Sequence, residues 1–259
     1  MHSGMKIQGY TYKGNDDELS AWDQSFTSRI GDGTGNPEEE YLSVLKLIAN
    51  CKPNAKYLDI GCGLGRIIQI VQHSVGGLVG LEPDPERFQA CYDRHHDGDR
   101  IRIINSTSLE YKDAHPEDRF DIIAVSMVLQ HVPTAICDQI LCDVHDLLMP
   151  EGVAIIAATQ QEIERFTFEF NPTLQIVEEF DRYAEDTANQ EWGIPVRMFS
   201  KASFHRAIEQ GGLHIIHWGQ FSYYRPEKLA WWAARSGVPP EAIQDVAISQ
   251  YAVVKRGRS

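Results

Sequence analysis

Short apolar runs alternate along the first 160 residues with longer stretches in which apolar positions recur every three or four places. Residues 57–60, 78–81, 101–104, 120–125 and 153–158 read as buried strands, being short and apolar and bounded by glycine, proline or acidic turns. Between them, the segments from Leu64 onward, 86–96 and 134–148 read as helices; the last is entered at Pro133-Thr134 and broken at Pro150-Glu151-Gly152. Upstream, Tyr41, Val44, Leu45, Leu47 and Ile48 mark one face of a helix starting at Pro37. Glu38, Glu39 and Glu40 occupy its first turn, where the helix dipole favours acids. This alternation predicts an α/β chain with a parallel sheet covered by helices on both faces.

After the fifth strand the pattern breaks. Residues 159–198 mix Phe166, Phe168, Phe170, Phe180, Tyr183 and Trp192 with many acids. The stretch is too apolar for a linker and too irregular for a pair of core strands, so it reads as a lid inserted over a binding site. A helix over 200–211 and a strand over 213–221 follow, then a second insertion at about 222–245 carrying Trp231 and Trp232, and a last strand over 246–254. Residues 1–50, with Tyr10, Tyr12, Trp22, Phe26 and Arg29 ahead of a glycine-rich run, read as an N-terminal lid segment on a domain spanning 51–259.

Composition narrows the class. With 24 basic against 37 acidic residues the net charge is −13, which opposes attraction to phosphate backbones, so no nucleic-acid partner is expected. No apolar run approaches the roughly 18 residues of a membrane span, so no membrane partner and a cytoplasmic location are expected. Cys51, Cys62, Cys91, Cys137 and Cys142 are scattered without a Cys-x-x-Cys pair and read as reduced packing residues. His95-His96-Asp97 invites a metal reading, but neighbouring side chains on a helix point about 100° apart, so a solvated helix end is expected and no metal site.

The stretch with the clearest chemistry is Leu58-Asp59-Ile60-Gly61-Cys62-Gly63-Leu64-Gly65-Arg66. A strand feeds a helix through a turn nearly stripped of side chains, which leaves backbone N–H groups facing a ligand. A dinucleotide fingerprint needs glycine at its first, third and sixth positions; here the sixth is Arg66. Asp59 would repel a pyrophosphate but accept an ammonium, which favours a cofactor carrying an amino-acid moiety. No Gly-Lys-Ser or Gly-Lys-Thr comes after the turn, so a phosphate loop is excluded. Glu82, about twenty residues beyond the turn at the end of the second strand, sits where such folds place an acceptor for ribose hydroxyls.

These residues resemble the first motif of the class I S-adenosylmethionine-dependent methyltransferases, and the later ones resemble the small-molecule branch. The resemblance implies a Rossmann-like seven-stranded methyltransferase sheet, mostly parallel with an antiparallel final strand. It implies S-adenosyl-L-methionine as cofactor, with Glu82 and Pro83 at the ribose. Asp59, Gly61, Cys62, Gly63 and Arg66 would hold the methionine end, with Arg29 added from the lid. Ser106 stands where the family usually has an acid that pairs with the adenine amino group, so adenine recognition would rest on Ser106, Thr107, Ser108 and Leu109. Ser126 and Met127 end the fourth strand beside the reacting sulfonium.

The run from Ser126 to Pro133 lacks the Asn/Asp-Pro-Pro-aromatic motif of DNA amine methyltransferases, a Pro-Cys nucleophile and a paired-glutamate loop. Its Leu-Gln-His-Val resembles the run after that strand in small-molecule enzymes. His131 is the candidate base, with a structural hydrogen bonder beneath the cofactor as the alternative. Tyr10, Tyr12, Gln130, Trp192 and Trp231 are candidates for the acceptor site, and the tryptophans of the second insertion could equally form a homodimer contact. The expected activity is methyl transfer to an O, N or C atom of a small metabolite or natural product. The alternatives are methylation of a peptide or protein N-terminal amine, whose family shares the Gly-x-Gly-x-Gly-Arg loop, and a non-catalytic cofactor-binding protein.

Overall fold

The computed structural model describes residues 39–168, 171–185, 194–222 and 248–257. Helix α1 (Glu39–Cys51) leads into strand β1 (Lys56–Ile60), α2 (Arg66–Val71), β2 (Gly77–Leu81), α3 (Pro85–His95) and β3 (Ile101–Ile104). Then come α4 (Ser108–Ala114), β4 (Phe120–Ser126), a 3-10 turn (Leu129–His131), α5 (Thr134–Leu147) and β5 (Leu148–Thr159). A small unit of β6 (Arg165–Phe168), β7 (Asn171–Ile176), α6 (Phe180–Glu185) and β8 (Pro195–Met198) precedes α7 (Lys201–Gln210), β9 (Leu213–Ser222) and β10 (Ile248–Arg256).

Seven strands form one sheet in the order β3-β2-β1-β4-β5-β10-β9. Strands β1 to β5 pair in parallel, whereas β10 runs antiparallel to both β5 and β9. The chain moves outward from β1 to β3 and returns on the other side of β1 as β4. That reversal opens a crevice at the strand C-termini between β1 and β4, the place where open α/β sheets bind ligands. In register, Asp59 lies between Gly80 of β2 and Ala124 of β4.

The two sheet faces carry separate cores because alternate strand residues point opposite ways. On one face Leu58, Val125 and Ile156 pack with Tyr111, Leu141 and Phe204 of α4, α5 and α7. On the other, Tyr57, Ala124 and Ile155 pack with Leu45, Ile68 and Cys91 of α1, α2 and α3. Helix α1 falls within the segment expected as a lid, yet from Tyr41 onward it belongs to this second core. The Tyr41 ring stacks on Phe221 with centroids 5.1 Å apart. The rest of that segment, residues 1–38, lies outside the described residues, as do residues 223–247 of the second insertion.

Two sequence expectations are corrected. Strand β5 begins at Leu148 and runs through the Pro150-Glu151-Gly152 breaker, which is absorbed as a shift in register: Phe120 pairs with Leu148, but Ile122 pairs with Val153. The first insertion, expected to be irregular, folds as an antiparallel sheet in the order β7-β6-β8. Phe166 and Phe168 of β6, with Phe180 and Ala184 of α6, are its core.

Candidate active site

The turn after β1 works because three of its residues lack a side chain. Gly61, Gly63 and Gly65 have φ of +69°, +55° and +87°, a region that disfavours residues with a Cβ. A Cβ on Gly61 would lie 2.5 Å from Val128 Cγ2, and one on Gly65 would lie 2.2 Å from His95 Cδ2. Above Gly63, by contrast, a Cβ would meet nothing within 4 Å, so the middle of the turn faces open space. The Cys62 amide donates to the Leu81 carbonyl at 2.9 Å, which ties the turn to the end of β2.

Glu82 comes directly after that strand. Its Oε2 accepts from the Gly63 amide at 2.8 Å and its Oε1 from the Asp84 amide at 3.0 Å. Burial raises its pKa, and Arg87 and these two amides offset part of that rise. Helix α3 is capped by Asp84, whose Oδ1 accepts from the Glu86 and Arg87 amides, so Glu82 itself is not the cap. Asn105, at the end of β3, donates from Nδ2 to the Glu82 and Pro83 carbonyls at 2.8 and 3.0 Å.

A cavity of about 330 Å³ opens beside this turn, within the range of small-molecule sites. Of the residues singled out from sequence, Gly61, Glu82, Pro83, Ser106, Thr107, Ser108, Leu109, Met127 and His131 line it. Arg87, Asn105, Ile136, Gln139 and Ile140 line it as well and were not anticipated. The three from α5 fall at a spacing of three and four, a signal readable in the sequence as one helix face. Asp59, Cys62, Gly63, Arg66, Ser126 and Gln130 do not line it. Tyr10, Tyr12, Arg29, Trp192 and Trp231 lie outside the described residues.

Asp59 is 1 % exposed, and its Oδ2 has no hydrogen-bond partner among the described residues. Burial pushes its pKa up to about 7 against the pull of Arg66, with Glu82 adding to the rise. Cys62 is buried with its Sγ 3.8 Å from that of Cys91, so it faces the packing against α3 and brings only backbone to the turn. Met127 adopts φ of +59°, a strained conformation for a non-glycine residue, with its amide bonded to the Ala157 carbonyl at 2.9 Å.

His131 ends the 3-10 turn. Burial and then Arg87 lower its pKa to about 4, opposed by the Pro195 backbone of β8, so the ring is neutral at physiological pH. Gln130 is buried, with its Nε2 3.3 Å from His131 Nε2. The small sheet docks here. Asp181 of α6 accepts from the Thr134 amide at 2.8 Å and hydroxyl at 2.9 Å, capping α5, whose own N-cap residue is Pro133. Arg197 of β8 pairs with Glu164 at 2.7 Å and donates to the Thr134 hydroxyl at 3.1 Å.

His95 was expected at a solvated helix end, but it is buried against Gly65, while His96 stacks on Tyr92 with centroids 4.2 Å apart. Among the described residues no group of three or more His, Cys, Asp or Glu side chains could hold a metal ion. Among them, too, no helix is long and apolar enough to cross a membrane.

A seven-stranded sheet with one antiparallel strand, a glycine turn at its crevice and an acid at the end of β2 define a methyltransferase fold. The methyltransferase domain family matches residues 37–238, and the chain belongs to this family of S-adenosylmethionine-dependent methyltransferases. It is similar to the ubiquinone biosynthesis O-methyltransferases of Bradyrhizobium sp. (strain ORS 278), 26% identical over 117 residues, and of Rhodopseudomonas palustris (strain TIE-1), 24% identical over 117 residues. Each match spans 45% of this chain and 45% of the relative, so less than half of either protein is aligned.

Among solved structures, the fold is similar to that of 1,6-didemethyltoxoflavin-N1-methyltransferase from Burkholderia thailandensis, determined with 1,6-didemethyltoxoflavin and S-adenosylhomocysteine bound. The TM-score is 0.57 at 15% identity, covering 95% of this chain and 92% of that one. Magnesium protoporphyrin IX methyltransferase from Synechocystis PCC 6803, with bound S-adenosylhomocysteine, has a TM-score of 0.57 at 13% identity over 94% of this chain and 95% of that one.

The residues present fit this cofactor. Glu82 offers a carboxylate at the cavity wall with lone pairs beyond the two it uses, Gly63 leaves open space above the turn, and Asp59 has a buried oxygen with no hydrogen-bond partner among the described residues.

Proposed function

We propose that the protein transfers a methyl group from S-adenosylmethionine to an oxygen, nitrogen or carbon atom of a small organic molecule. The observation that carries this is the pairing of two buried carboxyl groups around one glycine turn, Glu82 on the cavity wall and Asp59 behind it with an oxygen that has no hydrogen-bond partner among the described residues. When bound, the cofactor supplies an electrophilic methyl on a sulfonium. Glu82 would accept from the ribose hydroxyls, and the Gly61–Gly63 backbone with Asp59 and Arg66 would hold the amino-acid end. Such a site accelerates the reaction by alignment and exclusion of water, with no covalent nucleophile from the protein.

His131 is neutral at working pH and can accept a proton, but with a pKa of about 4 it holds one weakly. Full transfer from a phenol of pKa about 10 would be uphill by roughly 8 kcal/mol. The site therefore suits an acceptor that arrives ionised or loses its proton as the new bond forms, and His131 orients that atom. The net charge of −13 argues against a nucleic acid as acceptor, and the O-methyltransferase relatives favour a small one.

The test is incubation with S-adenosylmethionine and a panel of phenols, carboxylic acids, amines and short peptides, read by mass spectrometry for one added methyl and by release of S-adenosylhomocysteine. Methylation of a small acceptor is the expected result. Modification confined to peptide N-termini, or cofactor binding without turnover across the panel, would overturn it.

A further inference from the structure

Helix α5 presents Ile136, Gln139, Ile140 and Asp143 on one face, and the first three line the cavity opposite Ser106 to Leu109. Asp143 closes that face from below with no solvent exposure. Three donors converge on it: the Ser108 hydroxyl at 2.7 Å, Gln139 Nε2 at 2.9 Å and Lys112 Nζ at 2.5 Å. A carboxylate bridged to a lysine accepts hydrogen bonds and donates none. Gln139 must therefore keep its NH2 end toward Asp143, because the flipped amide would set two oxygens against each other. The amide oxygen is left for the cavity side.

The opposite wall offers a weaker acceptor. The Ser106 hydroxyl donates to the Thr107 carbonyl at 2.9 Å. The Ser108 hydroxyl is committed to Asp143, and the Thr107 hydroxyl is engaged in a capping box with Glu110. Leu109, Val132, Ile136 and Ile140 supply the apolar surface on which a flat ring can lie.

We infer that Gln139, locked by Asp143, is the residue that recognises the cofactor's purine, its amide oxygen accepting from the 6-amino group. This rests on the S-adenosylmethionine reading above. It makes Gln139 a specificity-determining residue and Asp143 a positioning residue. The same amide oxygen rejects a 6-oxo purine, which brings an acceptor to that point, and a site built around a hydrogen bond discriminates strongly against a ligand that cannot make it.

The experiment is calorimetric titration of the full chain with S-adenosylhomocysteine and with its 6-oxo counterpart, S-inosylhomocysteine, without turnover. Wild type should prefer the 6-amino ligand by about thirtyfold or more. Gln139→Leu should weaken S-adenosylhomocysteine binding about tenfold and bring the two affinities within about threefold of each other. Asp143→Asn, checked for folding by circular dichroism, frees the Gln139 amide to rotate and should erode the preference mainly by strengthening the 6-oxo ligand. If Asp143→Asn does not fold, Gln139→Leu decides alone. An unchanged preference in Gln139→Leu overturns the inference, as does its loss in Ser106→Ala with Gln139 intact. A wild-type chain that binds neither nucleoside overturns instead the cofactor reading beneath it.

Discussion

Replacing Asp59 by asparagine should make the ligand-free protein more stable at pH 8 and a poorer binder of cofactor. The side chain is buried, and its pKa rises from 3.8 to about 7. An acid whose folded pKa lies above its unfolded one has its full stability below pH 3.8 and loses stability as pH climbs toward 7, here about 4 kcal/mol. Asparagine removes the charge but leaves a buried amide to be satisfied, at about 1–3 kcal/mol. The balance is a gain of about 1–3 kcal/mol at pH 8, or a melting temperature higher by roughly 3–8 °C. At pH 4, where the wild-type carboxyl is already neutral, the ionisation term is nearly absent while the amide cost remains, so the variant should instead be less stable than wild type, by about 1–2 kcal/mol.

In the loaded protein the sign reverses, since an ammonium beside Asp59 stabilises its ionised form. Wild-type affinity for S-adenosylhomocysteine should rise with pH up to about 7, and Asp59→Asn should flatten that rise and bind at least about tenfold more weakly at pH 8. Thermal melts from pH 4 to 8, with and without saturating ligand, together with calorimetry, read both effects. A variant less stable than wild type at pH 8, or one that binds with unchanged affinity, would refute the reasoning.

Other perturbations test other parts. His131 has a folded pKa of about 4 against 6.5 unfolded, so wild type should lose about 3 kcal/mol relative to His131→Asn as pH falls from 6.5 to 4, measured by urea melts across that range. Gly65→Ala sets a Cβ against His95 at a φ of +87° and should cost about 2–4 kcal/mol in denaturant titration. Asp181→Ala removes the acceptor for the Thr134 amide and should cost about 1 kcal/mol; once an acceptor is found, its KM should rise while the affinity for S-adenosylhomocysteine stays near wild type.

The features legible in advance were those written within a few consecutive residues. The runs at 57–60 and 120–125 are apolar because both sheet faces are covered, so they announce central parallel strands without knowledge of their neighbours. Gly61, Gly63 and Gly65 were readable because a positive φ demands glycine, and Glu82 because the length of one strand–helix–strand unit sets its distance from the turn. Phe166 and Phe168 already show the alternation of a strand, but the acids around them obscured it, and the packing of Phe180 against that strand closes the small sheet.

The features beyond the reach of the sequence depend on contacts between residues far apart in the chain. Asp181 caps a helix that begins 47 residues earlier, Asn105 ties down a carbonyl 23 residues back, and Ser108 reaches Asp143 across 35. Whether Asp59 sits in water or in a dry crevice, and so whether its pKa is near 4 or near 7, depends on which strands flank it. Local periodicity and backbone sterics thus determined the sheet and its glycine turn. Burial and partner choice, which exist only once distant segments meet, decided the charge, orientation and availability of the groups around that turn.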